Sequence, residues 1–514
     1  MKKIVLTLLV LLMLSGCAEK KQPDSIDDNY RVMYQIFVGS FSDSNGDGTG
    51  DLQGIINRLD YLNDGDINSK TSLGVQGLWL SPIFASPSYH KYDVSDYYHI
   101  DGRFGDMNDL KTLIDECHKR NMIVILDLVL NHTSTFNSWF LNFKYARQKE
   151  DVNNEYYDFY TCVRTDEKQP GISYTKLEGT DYYYESNFSF DMPELNYDNE
   201  FVKEKMLEVG KYYLDLGVDG FRFDAIKYVY LNNTAKSAAF FDWYVSELKK
   251  IKEDVYCVGE CWSGTGEVLN YVKEMNCFDF ESAQAEGNIA KAAKGGNINS
   301  YTNYVVNYQK RLANASDNAI STPFIANHDM DRAAGYLNVY NYYAYMGANL
   351  LLLQPGTPFI YYGEEIGMKG TRDSNTDANR RLAMLWGDGD TISDPVGTTY
   401  DPNKQPNGTV KQQERSDESI LNHYRKVIGF RNRYKQIARG TYSILDLGMN
   451  HLGGFIIEYN DETTYLIHNN SDEQITLDLS NMAFKQIIEA VGVESADVKD
   501  NILTVGKYTS VLMK

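Results

Sequence analysis

The chain has 514 residues, 43% of them hydrophobic, which is enough for a large buried core and several domains. Its formal net charge of -21 argues against nucleic acid as a partner, because polyanions are bound through Lys and Arg, and points to a neutral ligand.

The first residues, MKK followed by the apolar run Ile4 to Leu14 and then Ser15-Gly16-Cys17, have the layout of a secretory signal too short to span a membrane stably. The LSGC ending resembles the bacterial lipoprotein signal, so the expectation is a signal peptide over 1–16, lipid on Cys17 and a tether over 17–28. The body would then be held at an extracytoplasmic membrane surface by its lipid. The other cysteines, Cys117, Cys162, Cys257, Cys261 and Cys277, are read as thiols. Cys257 and Cys261 stand four residues apart on one strand face, roughly 13 Å, too far for a bridge, and no CxxC or clustered His suggests zinc.

Apolar runs with strand character then recur along the chain: Val32 to Val38, Gly77 to Pro82, Met122 to Leu130, Gly220 to Asp224, Val255 to Glu260, Cys277 to Phe280, Thr322 to Asn327 and Pro358 to Glu365. Helical patterns over Asp109 to Arg120, Glu200 to Leu216 and Phe240 to Lys252 separate several of them. Eight buried strands alternating with helices predict an α/β fold, a (β/α)8 TIM barrel whose chemistry lies at the C-terminal ends of the strands. The expected barrel covers 29–132 and 197–439. Residues 133–196, too long for a connection and rich in Tyr, Asn and Asp, form an inserted small domain after strand three. From 440 to 514 the pattern changes to alternating strands, an antiparallel C-terminal β-sandwich domain.

In GFRFD, strand alternation puts Arg222 and Asp224 on one face, where the guanidinium keeps the carboxylate ionised and able to act as a nucleophile. Alone, such a pair is commonly a structural ion pair. Glu260 ends strand five, however, and Asp329 follows strand seven. Three carboxylates at one barrel mouth repel unless one is protonated and another paired with Arg222, a division that suits retaining glycoside hydrolysis.

The ordered motifs DLVLNH (127–132), MPELN (192–196), GFRFDAIKY (220–228), GECW (259–262) and NHD (327–329) resemble those of the α-amylase family, glycoside hydrolase family 13, over nearly the whole chain. Within the family they look most like bacterial lipoprotein α-amylases of the intermediate group. The resemblance implies Asp224 as nucleophile, Glu260 as general acid/base and Asp329 as the carboxylate that grips sugar hydroxyls. It places Asp127, His132, Arg222 and His328 around the sugar, with Lys227 and Trp262 beside the cleavage point. In SYHKYDVSDYY, His90 would donate to a hydroxyl and Tyr92 would stack on the sugar ring.

DSNGDGTGD (43–51) begins like a calcium loop, but its twelfth position is Gly54 rather than the Glu of an EF-hand. It resembles the calcium loop of oligo-1,6-glucosidase-like members, which implies Ca2+ held by Asp43, Asn45, Asp47 and Asp51 side chains and the Thr49 carbonyl. Tyr228 stands where many α-amylases have a His that helps hold another calcium, so Asn131 need not be a ligand. Glu194 replaces an Asp common in related members.

The resemblance implies an endo-acting α-amylase that cuts α-1,4 bonds of starch-like glucans and maltooligosaccharides. The alternatives are an exo-acting α-glucosidase, oligo-1,6-glucosidase, neopullulanase or transglycosylase, or, from another class, a glucan-binding lipoprotein without catalysis.

Overall fold

The computed structural model describes residues 26, 28–373 and 376–514; the signal segment, Cys17 and most of the expected tether lie outside the described residues. Eight short parallel strands form one sheet: β1 (Met33–Ile36), β2 (Gly77–Leu80), β3 (Ile123–Leu128), β4 (Gly220–Phe223), β5 (Tyr256–Gly259), β6 (Asn276–Asp279), β7 (Thr322–Pro323) and β8 (Phe359–Tyr361). From β1 to β7 each strand pairs with the next in chain order, and β8 pairs with β1. A parallel bridge between Phe324 and Phe359 closes the last gap, so the sheet is a TIM barrel.

Strand alternation sorts the side chains. Met33, Trp79, Ile125, Tyr256, Val258, Phe278, Phe324 and Phe359 pack together inside the barrel. Tyr34, Leu78, Leu126, Phe221 and Phe223 belong to the larger core shared with the helices, where Phe223 meets Phe241. Gly220 is forced by a close approach, since a Cβ there would lie 1.8 Å from the Tyr256 carbonyl oxygen.

The helices carry their start signals in short polar side chains. Asp106 caps Met107–Lys119, accepting from the backbone of Asn108 and Asp109, and Asn199 caps Glu200–Asp215. The helix expected from Phe240 begins six residues earlier, at Thr234, where Asn233 accepts from Lys236 N. Its first turn carries little apolar character, so periodicity alone finds only the later turns.

Between β3 and β4 lie a helix, Ser138–Gln148, and a three-stranded antiparallel sheet with Tyr182–Glu185 at its centre. This inserted unit returns to the barrel through a bridge between His132 and Glu194. After Gly440 come a five-stranded antiparallel sheet and a three-stranded one. Leu452, Ile467, Leu477, Leu503, Val505 and Val511 from the two sheets share one core.

The chain ahead of β1 lies against the N-terminal end of the barrel. Ile26 is buried, Asp28 pairs with Arg439, and Thr357, just before β8, donates to the Asn29 carbonyl.

Candidate active site

A cavity of about 920 Å³ opens at the C-terminal ends of the strands. Asp224, Glu260 and Asp329 all line it, as do His90, Tyr92, His132, Lys227 and Trp262. The geometry follows from the strands. Arg222 points into the barrel from β4, between outward Phe221 and Phe223, and is fully buried. Its Nη1 donates to Asp127 Oδ1 at 2.7 Å and to Asp224 Oδ1 at 2.8 Å, and its Nη2 donates to Glu260 Oε2. A single guanidinium therefore organises carboxyl groups from three neighbouring strands. Asp127 is further held by the Trp79 indole N–H at 3.2 Å and the Tyr92 hydroxyl at 2.9 Å.

The electrostatics divide the acids. Burial pushes the Glu260 carboxyl up to about 8, and the charges of Asp224, Asp329 and Asp127 push the same way against that of Arg222. Glu260 is thus protonated at neutral pH. Asp329, 29% exposed toward the cavity, pairs with Arg381 Nη2 at 2.8 Å. Burial would raise its carboxyl, but the His328 ring together with the Arg381 and Arg222 charges holds it well below the usual carboxylate range.

Histidine protons are fixed by their partners. Gln35 Nε2 meets His328 Nδ1 at 2.7 Å, so the ring proton sits on Nε2, which is 2.9 Å from Asp329 Oδ2 and 2.6 Å from the Tyr92 hydroxyl. The Tyr92 backbone N–H donates to His90 Nδ1, which leaves His90 Nε2 to carry a proton. Burial pushes His90 down to about 4, and so it is neutral. His132 is buried with Nδ1 beside Asn131 Nδ2 and Nε2 without a partner among the described residues, a polar atom suited to a ligand hydroxyl.

Local backbone strain lies next to these groups. Lys91, between His90 and Tyr92, has φ of 67°, and Ala225, after Asp224, has φ of 46°. The buried Lys91 ammonium donates to the carbonyls of Ser86 at 3.1 Å and Ser88 at 2.6 Å and pairs with Asp101 at 2.8 Å, so it pins the loop that presents His90 and Tyr92.

Among the residues singled out from sequence, Lys227 donates to the Trp262 carbonyl at 2.8 Å, and the Trp262 ring stacks on Phe280 at 5.1 Å. The sequence reading passed over Trp79, Gln35, Lys91, Arg381, Tyr89 and Phe188. Gln35 had a signal, a polar residue inside an apolar strand run. Arg381 had none, since it lies beyond β8 in a loop without a motif.

The expected calcium positions occupy the loop after β1. Asp43 accepts from the backbone N–H of Asn45, Gly46 and Gly48, Asn45 from Asp47, and Asp47 from Thr49, which folds the loop around its own side-chain oxygens. These hard oxygen donors are of the type Ca2+ takes. Asp51 is already engaged, capping helix Leu52–Asn57 through Gly54 N and accepting from Ser44. Among the described residues no three His, Cys, Asp or Glu side chains stand together at metal-holding distance.

Comparison with known proteins adds to this geometry. The family model "Alpha amylase, catalytic domain" matches residues 35–440. Alpha-amylase 3 of Dictyoglomus thermophilum is 33% identical over 494 residues, 94% of this chain and 93% of the relative. The oligo-1,6-glucosidase of Bacillus cereus is 30% identical over 572 aligned positions, 94% of this chain and 98% of the relative. Among solved structures, Eubacterium rectale Amy13B superposes with a TM-score of 0.88 at 36% identity, covering 96% of each chain.

Proposed function

The chain belongs to the α-amylase family and is a glycoside hydrolase, and from that premise we propose that it is an endo-acting, retaining α-amylase acting on α-1,4-linked glucans. The observation that carries retention in this reading is the Arg222 guanidinium, which touches both Asp224 and Glu260. One guanidinium spanning both acids supports the separation of about 5 Å that retention uses, rather than the roughly 6.5–9.5 Å that leaves room for a water in inversion.

In this mechanism Glu260, neutral at rest, gives its proton to the glycosidic oxygen as the bond from that oxygen to the anomeric carbon breaks. Asp224, held by Arg222 at 2.8 Å, attacks the anomeric carbon from the opposite side as a carboxylate and forms a glycosyl ester. Glu260, now a carboxylate, takes a proton from water, whose oxygen displaces Asp224. Two inversions restore the anomeric configuration. Asp329, fixed by Arg381 and His328, accepts from sugar hydroxyls, while His90 and His132 offer Nε2 to others and the Tyr92 ring faces the sugar. Lys227 and Trp262 flank the leaving side.

Ca2+ on Asp43, Asn45, Asp47, Asp51 and the Thr49 carbonyl would brace the loop after β1, outside the chemistry. Lipid on Cys17, and with it a place at a bacterial cell surface, is supported by the MKK-to-LSGC layout.

Two experiments test the reading. Asp224→Asn should remove nearly all activity while the protein stays folded; near-normal turnover would remove Asp224 from the nucleophile role. An end-blocked maltooligosaccharide should be cut rapidly by the wild type. Activity confined to free chain ends, or to isomaltose, would instead favour an exo-acting or α-1,6 reading, which the kinship with an oligo-1,6-glucosidase supports.

A further inference from the structure

The loop of residues 186–193 leaves the three-stranded sheet of the inserted unit just after Glu185 and ends at Glu194. Its ends are tied together, since Glu194 N donates to the Glu185 carbonyl at 3.0 Å, which makes it a compact loop with a closed neck. Phe188, Ser189 and Met192 of this loop line the catalytic cavity, and Glu194 is bridged to His132, another lining residue. The neck therefore sets where one wall of the cleft stands.

Two buried acids form that neck. Glu185 is 8% exposed and Glu194 3%. Asn187 Nδ2 donates to Glu185 Oε1 and to Glu194 Oε1, each at 2.7 Å, so both carboxyl groups converge on one nitrogen. Asn187 N adds a bond to Glu194 Oε1 at 3.0 Å. The two carboxyl groups are also hydrogen-bonded to each other. Ionised carboxylates only accept, so that bond requires a proton, and two like charges in contact away from water repel strongly. Burial, and then the Glu185 charge, push Glu194 up to about 8, and burial raises Glu185 as well.

The surroundings supply no counter-charge of their own. Tyr174, paired with Glu185 across the sheet, is the titratable group that feels both acids. Lys176, the cation of the same strand, is turned to Asp181 and the Tyr183 ring. On the next strand Cys162 faces the charges of Arg147, Asp158 and Glu167, and His132 faces those of Asp224, Asp93 and Asp191.

We propose that Glu185 and Glu194 share a single proton and, with Asn187, form a clasp that positions loop 186–193 and its cavity wall for substrate, and that loss of this proton in alkaline solution releases the wall. These are positioning residues, acting through Phe188, Ser189, Met192 and His132. The proton is held below about 8 and leaves as pH rises through that value, after which two adjacent carboxylates force the neck apart. The inference rests on the α-1,4-glucan reading above only in taking that polymer as the occupant of the cavity.

The test uses Glu260→Gln as the parent, because it does not consume the sugar and removes the other acid that titrates near the same pH. Calorimetry should show the Kd for maltotetraose rising about tenfold from about pH 6 to about pH 9 in the parent, and less than about twofold in Glu260→Gln/Glu194→Gln, where an amide donor replaces the shared proton at every pH. Deuterium uptake of residues 186–193, corrected for the intrinsic pH dependence of exchange, should rise at the higher pH in the wild type and stay low in Glu194→Gln. The same pH dependence of Kd with and without Glu194→Gln, or uptake in the wild type that ignores pH, overturns the clasp. If Glu194→Gln lowers the melting temperature at about pH 6, Glu185→Gln takes its place with the same expectation. If maltotetraose binds the parent at neither pH, the α-1,4-glucan reading fails separately, and the exchange measurement, which uses no sugar, decides the clasp.

Discussion

Replacing Glu260 by Gln tests the protonation state on which the whole mechanism turns. In the unfolded chain the carboxyl ionises near its ordinary 4.5, whereas in the folded protein burial keeps it neutral up to about 8. Between those values the unfolded state sheds a proton that the native state retains, so stability falls as pH rises, by about 1.4 kcal/mol per pH unit. Across a window of roughly 3.5 units the loss reaches about 5 kcal/mol, and because Glu260 is one member of an interacting cluster, about 2–5 kcal/mol is the expected range. The loss is absent below the unfolded value and complete above the folded one. Gln is neutral at every pH, nearly isosteric, and can still accept from Arg222 Nη2. Urea unfolding of Glu260→Gln and wild type, followed by Trp fluorescence from pH 5 to 9, should therefore show similar stability at pH 5 and a growing advantage for the variant that levels off above pH 8. Activity should drop by about 10²–10⁴ at all pH values, as expected when a general acid is removed. The wild-type rate should itself decline as pH rises through about 8. A stability difference that does not change with pH would mean that Glu260 is already ionised in the folded enzyme and cannot be the resting proton donor.

Calcium should raise the melting temperature, by an amount equivalent to about 2.7 kcal/mol at a hundredfold excess over Kd, and EDTA should reverse the gain. Asp43→Ala/Asp47→Ala should abolish that shift, and a wild-type melting curve indifferent to both calcium and EDTA would reject the site. Lys91→Met removes a buried ammonium while Asp101 keeps its pairing with Arg103, so a modest stability loss of about 1–3 kcal/mol is expected. Because Lys91 pins the loop carrying His90 and Tyr92, KM should rise roughly tenfold with kcat changed less; an unaltered KM would show that the loop holds its shape without it.

What could be seen in the sequence was whatever is written within one strand or one turn. Arg222 and Asp224 on one face, Glu260 and Asp329 just past strand ends, and the eight apolar runs all follow from local alternation, and the barrel places them as expected. Contacts set by packing between distant segments were not visible. Arg381 reaches Asp329 from the loop after β8, and nothing near position 381 announces it. Lys91 looked like an ordinary charged residue between His90 and Tyr92, although it is buried. The helix from Thr234 was shortened because its opening turn is polar. In the C-terminal domain, the residues of Ile487–Gly492 are mostly half-buried, which blurs the two-residue alternation.

The way the chain enters the barrel fixes a direction. Ile26, Asp28 and Asn29 are held at the N-terminal ends of the strands, next to Arg439 and Thr357, whereas the cavity opens at the opposite ends. The polypeptide therefore joins the barrel on the face away from the cavity, so the segment that leads into β1 and the cleft that receives substrate occupy opposite ends of the molecule.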